Sequence, residues 1–293
     1  MSTIVVTGAA GFVGRRLTDA LHARGHQVVA IARRSKPADW PISSRWVEAD
    51  LLSPERYEQA LAGADVVFHL AAVTGKARPE AYVRGNVETT EALIAASERA
   101  GVPRFVFVSS IAVTFPDRRF YPYAASKIAA EQAVRGSKLA WTIVRPTMIL
   151  GQGSPIQASL ARLARLPLIP MFGSGKNRVQ PVDVDEVVDA LVRLAQTAPA
   201  PGAVLEVGGP EVVTMLDLLR KLRSREGVAS LARFIHLPLN LLRFTLAALE
   251  KPLLPLLPFT AGQLASFAND SVASRPAADA PKSTAAANAS ESR

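Results

Sequence analysis

The chain of 293 residues contains no cysteine, which excludes a disulfide framework, a thiolate metal site and a cysteine nucleophile. A reducing compartment is therefore allowed. Aromatic residues make up only 6% of the chain and are not interleaved with basic clusters, so no nucleic-acid partner is expected. His22, His26, His69 and His236 are scattered without ligand spacing, and no metal site is expected. No uncharged apolar run approaches the roughly 18 to 20 residues that span a bilayer. Met1-Ser2-Thr3 runs into Ile4-Val5-Val6 with neither a basic leader nor a cleavable apolar region, so no secretory signal is expected and the location expected is cytoplasmic.

Hydrophobic residues form 49% of the chain, enough apolar area to offset ordering entropy, which excludes wholesale disorder. The length suits one large domain or a main domain with a smaller appendage. Lysine and arginine number 34 against 25 acidic residues, a formal charge of +9. An anionic membrane surface or a phosphorylated ligand would attract that excess as nucleic acid would, and charge alone does not choose.

Apolar, often β-branched runs at residues 4–6, 28–31, 46–49, 66–70, 105–108 and 141–144 predict buried strands. Between them Val13, Leu17, Ala20 and Leu21, then Leu93, Ile94 and Ala96, carry helical spacing. The alternation predicts a doubly wound α/β fold, a parallel sheet with right-handed crossovers and helices on both faces, with residues 1–150 as its core. After Gly151 the alternation fades. Phe172-Gly173-Ser174-Gly175-Lys176 reads as a loop, Asp183 caps a helix through Leu194, and residues 204–207 form a last strand. Residues 231–259 are leucine-rich, interrupted by Pro238, Pro252, Pro255 and Pro258, and predict short amphipathic helices separated by prolines. Two readings of those leucines stay open: completing the core, or facing a lipophilic substrate or a membrane surface as a peripheral contact. Residues 151–269 make a small mixed, substrate-facing region that includes the final core elements, and residues 270–293 a disordered tail.

Thr7-Gly8-Ala9-Ala10-Gly11-Phe12-Val13-Gly14 lies directly after a predicted strand and before a helix. Glycines there allow a tight turn and close approach of a pyrophosphate to backbone N–H groups at a helix N-terminus. The spacing is Gly-x-x-Gly-x-x-Gly, not the Gly-x-Gly-x-x-Gly of the dehydrogenase fingerprint. Past the second strand, Arg33 and Arg34 stand where an NAD enzyme usually places an acid on the ribose 2′-hydroxyl. Arginine offers a forked donor to a 2′-phosphate, so NADP is the cofactor expected, with NAD the alternative. Asp50 and Leu51, past the third strand, suit either an adenine contact or a plain turn. Tyr123 and Lys127 share one helix face, where an ammonium near the phenol favours its ionisation. Thirteen residues upstream, Ser109 and Ser110 close a central strand at the sheet's carboxyl edge, where ligands bind in such folds.

Glycine loop, strand-end serine and Tyr/Lys helix, in this order, resemble the extended branch of the short-chain dehydrogenase/reductase superfamily, the NAD(P)-dependent epimerases, dehydratases and reductases with a Rossmann-like core. The resemblance runs from about Thr3 to Val213. It includes Phe68-His69-Leu70-Ala71-Ala72, Asn86-Val87-Glu88-Thr89-Thr90, Val144-Arg145-Pro146-Thr147 and Leu205-Glu206-Val207-Gly208-Gly209. It implies hydride transfer at a carbonyl or secondary alcohol of a small-molecule substrate. Tyr123 would be the general acid/base, Lys127 would hold the nicotinamide ribose and lower the tyrosine pKa, and Ser110 would bind the substrate oxygen. Ser110 is preferred to Ser109 because it lies three residues before Val113, as the family serine precedes its Val-Tyr-Gly stretch. Here that stretch reads Val113-Thr114-Phe115. This departure and the short span to Tyr123 remove part of the usual substrate wall, leaving sugar nucleotides, sterol-like alcohols and quinone-related lipids open as substrates. Pro146 would flank the nicotinamide, and Leu70, Ala71 and Ala72 the middle of the cofactor. Residues 259–272 are similar to the distal part of proteins like the NADPH-binding accessory subunit of respiratory complex I. That second resemblance implies a rival, a catalytically silent assembly protein at a membrane.

Overall fold

The computed structural model describes residues 1–38, 40, 44–197, 199–228, 233–257 and 259–274. The strands in chain order are β1 (Thr3–Thr7), β2 (Gln27–Ala32), β3 (Arg45–Glu48), β4 (Val66–His69), β5 (Arg104–Val108), β6 (Ala140–Pro146), β7 (Ile149–Leu150), β8 (Leu168–Phe172), β9 (Arg178–Val179), β10 (Val182–Asp183), β11 (Ala203–Val207), β12 (Val213–Thr214) and β13 (Arg233–Leu237). The helices are α1 (Phe12–Ala23), α2 (Glu58–Leu61), α3 (Pro79–Tyr82), α4 (Thr89–Arg99), α5 (Pro122–Gly136), α6 (Pro155–Ala164), α7 (Val184–Gln196), α8 (Met215–Arg225), α9 (Leu239–Leu253) and α10 (Ala265–Ala268).

Seven strands form a sheet in the order β11-β6-β5-β4-β1-β2-β3, every neighbouring pair parallel. Strands buried on both faces have no polar side to show, which is why their sequences are continuous apolar runs. In β1, Ile4 and Val6 pack toward Leu17 and Leu21 of α1 and Val187, Val188 and Leu191 of α7. Val5, between them, joins Leu93 and Ile94 of α4 and Ala130 and Val134 of α5 on the other face. This is the doubly wound Rossmann-like fold that the alternation predicts. Strand order changes direction at β1, and the crevice beyond the carboxyl ends of β1 and β4 is where such sheets bind ligands.

Asp183 caps α7 as expected, in a reciprocal box with Glu186. Elsewhere in the C-terminal third two expectations need correction. Residues 233–259 do not make only proline-separated helices: β13 pairs in parallel with β8, and α9 then runs from Leu239 to Leu253, with Pro252 inside its last turn. Residues 270–274 of the expected tail are tied to the body: Asp270 pairs with Arg178, and the backbone N–H groups of Ala273 and Ser274 donate to the side chains of Gln180 and Glu206. These partners are some seventy to ninety residues away, so no local pattern signals them. Residues 275–293 of the predicted tail, like residues 231–232, lie outside the described residues.

Candidate active site

The glycine loop closes between the end of β1 and the start of α1. At Gly8 the backbone is left-handed, φ +69, and a Cβ would come within 2.6 Å of the Ala71 nitrogen. Only glycine lets β1 meet the β4 exit this closely. At Gly14 a Cβ would sit 2.2 Å from the Gly8 carbonyl oxygen, so helix and loop also touch through bare backbone. The Gly11 N–H donates to the Gly8 carbonyl at 2.9 Å, and no side chain caps α1. The first-turn N–H groups of Phe12, Val13 and Gly14 have no partner within the helix, which makes this helix end an anion seat. A dinucleotide fits these residues, since the cradle is one that any added Cβ would fill.

Around the cradle, Arg33 and Arg34 are exposed just past β2, whose Ile31 stands in register with Thr7. One Asp50 oxygen accepts the Leu52 N–H at 3.0 Å, a turn bond that leaves the other oxygen free of it. The Leu51 side chain packs in the core with Tyr57, Ala60 and Leu61. Leu70, Ala71 and Ala72 are half-buried past β4, and Pro146 is buried at the end of β6, opposite Val207.

On the reacting side, the 3-10 turn Ile111–Thr114 and α5 bring Ser110 and Tyr123 into contact. Ser110 Oγ also accepts the Ala112 N–H at 3.2 Å, which fixes its rotamer, whereas Ser109 is buried. Burial raises the Tyr123 phenol above its ordinary pKa, opposed by the Ser110 hydrogen bond, so the phenol is a proton donor in the cofactor-free protein. Lys127 is buried; its Nζ donates to the Val108 carbonyl at 2.8 Å and lies 4.1 Å from the Phe107 ring centroid. Burial brings its pKa down to about 7, with Glu131 acting against the shift. The ammonium thus donates to the Val108 carbonyl from the helix that also carries Tyr123.

Sequence reasoning gave no role to the groups that hold this arrangement. His69 is fully buried; Thr7 Oγ1 lies 2.7 Å from its Nδ1 and Thr90 Oγ1 2.9 Å from its Nε2. Thr90 spends its only proton on the Asn86 carbonyl at 2.6 Å, so Nε2 carries the histidine proton and Thr7 donates to Nδ1. Burial, with Lys127 nearby, pushes His69 down to about 3, and the ring stays neutral. Asn86, in a π-helical turn at Val83–Glu88, grips the Val73 backbone from both sides. It also donates to Ser126 Oγ at 2.9 Å, and Ser126 donates to the Tyr123 carbonyl at 2.8 Å. The cradle and the first turn of α5 are therefore one hydrogen-bonded unit. Polar residues in buried strand ends were the available signal.

Of the four tyrosines in the chain, three meet here: ring centroids of Tyr82 and Tyr121 lie 6.1 and 5.7 Å from Tyr123. Ile111, Phe115 and Ala265 pack with them. The C-terminal segment thus packs against this cluster. Gly262 lies flat against it, since a Cβ there would come 2.6 Å from the Phe120 carbonyl oxygen. Phe120 itself has φ +59, a strained conformation for a bulky residue.

With fold and site in place, the sequence model of the NAD dependent epimerase/dehydratase family matches residues 4–208. The chain belongs to that family and is an NAD(P)-dependent oxidoreductase or epimerase/dehydratase. It is 34% identical over 253 residues to a 2-alkyl-3-oxoalkanoate reductase of Stenotrophomonas maltophilia, covering 76% of each chain. A ceramide reductase of Caulobacter vibrioides is 34% identical over 202 residues, 66% of this chain and 61% of that one. Among solved structures, MoeE5 in complex with UDP-glucose and NAD aligns at a TM-score of 0.67 and 30% identity, covering 80% of this chain and 85% of its own. These relatives favour an enzyme over the silent assembly protein.

Proposed function

We propose that the protein is an NADP(H)-preferring reductase of a lipophilic ketone, using Ser110, Tyr123 and Lys127. The observation that carries this reading is the apolar and aromatic cluster around Tyr123, formed with Tyr82, Tyr121, Phe115, Ile111 and Ala265, which would line the substrate chamber. A nucleotide sugar brings a diphosphate that calls for free cations. The arginines flanking the chamber are already engaged, Arg118 with the Val113 carbonyl and Arg119 and Arg243 with Asp117. Both named reductase relatives support the same substrate class.

The dinucleotide would be held by the Gly8–Gly14 loop, Arg33, Arg34 and Lys127, with Leu70, Ala71, Ala72 and Pro146 along it, and would supply hydride at its nicotinamide C4. Ser110 donates to the substrate carbonyl oxygen, and Tyr123, protonated by virtue of its burial, passes its phenolic proton to that oxygen as it gains charge. Lys127 then favours the resulting phenolate. A substrate panel tests the reading: NADPH oxidation is expected with long-chain 3-oxo acids or esters and not with UDP-glucose. Turnover of the UDP-sugar alone would reverse it.

NADP(H) is expected to bind at least about tenfold more tightly than NAD(H), because charge-assisted bonds to a 2′-phosphate contribute about 1.5–3 kcal/mol each. In titration calorimetry, Arg33→Ala with Arg34→Ala should erase that preference and leave NAD(H) affinity unchanged. Equal affinities in the native protein would refute it.

Proton linkage offers a second check. With its pKa about 7 in the free protein, Lys127 is largely neutral at pH 8, and an anionic dinucleotide beside it raises that pKa. Binding then takes up a proton above pH 7, and affinity falls as pH rises. Calorimetry in two buffers of different ionisation enthalpy should show this uptake, and Lys127→Met should lose it.

A further inference from the structure

Helix α9 packs inward through Leu239, Leu242, Leu246 and Ala247, yet it also leaves large apolar side chains on its outer face. That inner face also holds an arginine, Arg243, which is 2% exposed, while Leu241 and Phe244 are 62% and 56% exposed and Leu249, about 80° from Leu241 around the axis, is 43% exposed. Leu256, just beyond, is 80% exposed. From Leu241 to Leu249 this face runs about 12 Å along the helix axis. Scattered leucines on a surface need no explanation, but a contiguous row does.

The orientation of the helix is locked in place. Arg243 donates to both Asp117 oxygens at 2.7 and 3.3 Å and to the Arg119 carbonyl at 2.6 Å. Rotating the leucines inward would pull the guanidinium out of this clamp. At its other end the C-terminal segment is held by Lys76, whose Nζ donates to the carbonyls of Pro255 and Leu257 at 3.2 and 2.7 Å. The clamp therefore presents the apolar row outward and borders it with cations: Arg118 and Arg119 precede Phe120, whose ring meets Phe244 at 5.3 Å, and Lys76 sits beside Leu256. Asp117, the acid at this border, is shared between Arg119 and Arg243.

We infer that the exposed face of α9 is a docking surface for an anionic lipid bilayer, with α9 lying in the interfacial plane. An apolar row rimmed by lysine and arginine matches such an interface, whose headgroups are negative and whose acyl boundary accepts leucine and phenylalanine. A second copy of the chain fits less well, because two-fold pairing would bring like charges of the rim together. Docked this way, the protein sets Phe120, three residues from Tyr123, at the bilayer surface, giving a lipophilic substrate a short route to the chamber. The docking itself rests on the surface and not on the substrate reading, and it is measured without turnover.

The test is flotation of the full chain with phosphatidylcholine vesicles, with and without phosphatidylglycerol, at low and raised salt. The expected result is flotation with the anionic vesicles, weakened by salt and lowered about tenfold or more in the Leu241→Asn, Phe244→Asn, Leu249→Asn variant, whose thermal unfolding is unchanged because those side chains are exposed. Protein that stays at the bottom with anionic vesicles at low salt overturns the inference. So does a variant that floats like the native chain. A dimer in sedimentation that the same substitutions abolish, with no flotation, would hand the surface to a second copy.

Discussion

Tyr123→Phe is expected to lower turnover about 10²- to 10⁴-fold, the usual contribution of a positioned general acid, while cofactor affinity stays within about twofold. Phenylalanine keeps the ring that packs between Tyr82 and Tyr121, so the chamber survives and only the proton donor is lost. The distinction matters because Tyr82 is also a phenol near the site. Its hydroxyl is engaged with the Gly75 carbonyl, which leaves it unsuited to donate in place of Tyr123. Steady-state kinetics with calorimetry of NADPH binding would check the pair of outcomes. Near-native turnover in the variant would remove Tyr123 from the chemistry, and a large loss of cofactor affinity would mean the ring's role is packing.

The second large effect is on stability. Asp117→Ala is expected to destabilise the protein by about 3–5 kcal/mol, because it strands the buried Arg243 guanidinium with the Arg119 carbonyl as its acceptor. Thermal unfolding should fall by about 10 °C. Adding Arg243→Leu should return most of the loss, since an apolar side chain in the same space needs no partner. If the double variant is as unstable as the single one, the clamp is not what holds α9. Acid should act through the same group. Hydrogen bonds from Arg119 and then Arg243 hold the Asp117 carboxyl well below the usual carboxylate range. The stability it contributes is therefore complete above about pH 4 and lost as pH falls below that toward its folded value.

The arginine clamp also marks the limit of what the sequence discloses. The inner sheet strands were legible because each is an apolar run largely buried on two faces, a property of the run itself, and the half-buried edge strands β3 and β11 kept enough apolar residues to read as well. The glycine loop was legible because its demands are local, set by one left-handed residue and a helix start. Strand β13 was not, because Arg233 and His236 break its apolar pattern and its partner, β8, lies some 65 residues earlier. Arg243 reads in sequence as a solvated charge, and its buried partner, Asp117, lies 126 positions away. In the site, residue types and order singled out Ser110, Tyr123 and Lys127 as candidates, while the direction of Lys127 toward Val108 depends on how α5 sits against β5. Tyr82 and Tyr121 carried no signal beyond the scarcity of tyrosine in the chain.

The central claim is that this chain reduces a carbonyl by hydride transfer with Tyr123 as proton donor. Its most direct test is incubation of the purified protein with a 2-alkyl-3-oxoalkanoate and NADPH deuterated at nicotinamide C4 on the transferred face, followed by mass spectrometry of the product. The account predicts one deuterium at the new carbinol carbon, with the label missing from product when Tyr123→Phe replaces the native protein over the same time. Cofactor that binds but never delivers deuterium to this or any other carbonyl substrate in the panel would contradict it and return the chain to the role of a cofactor-binding scaffold.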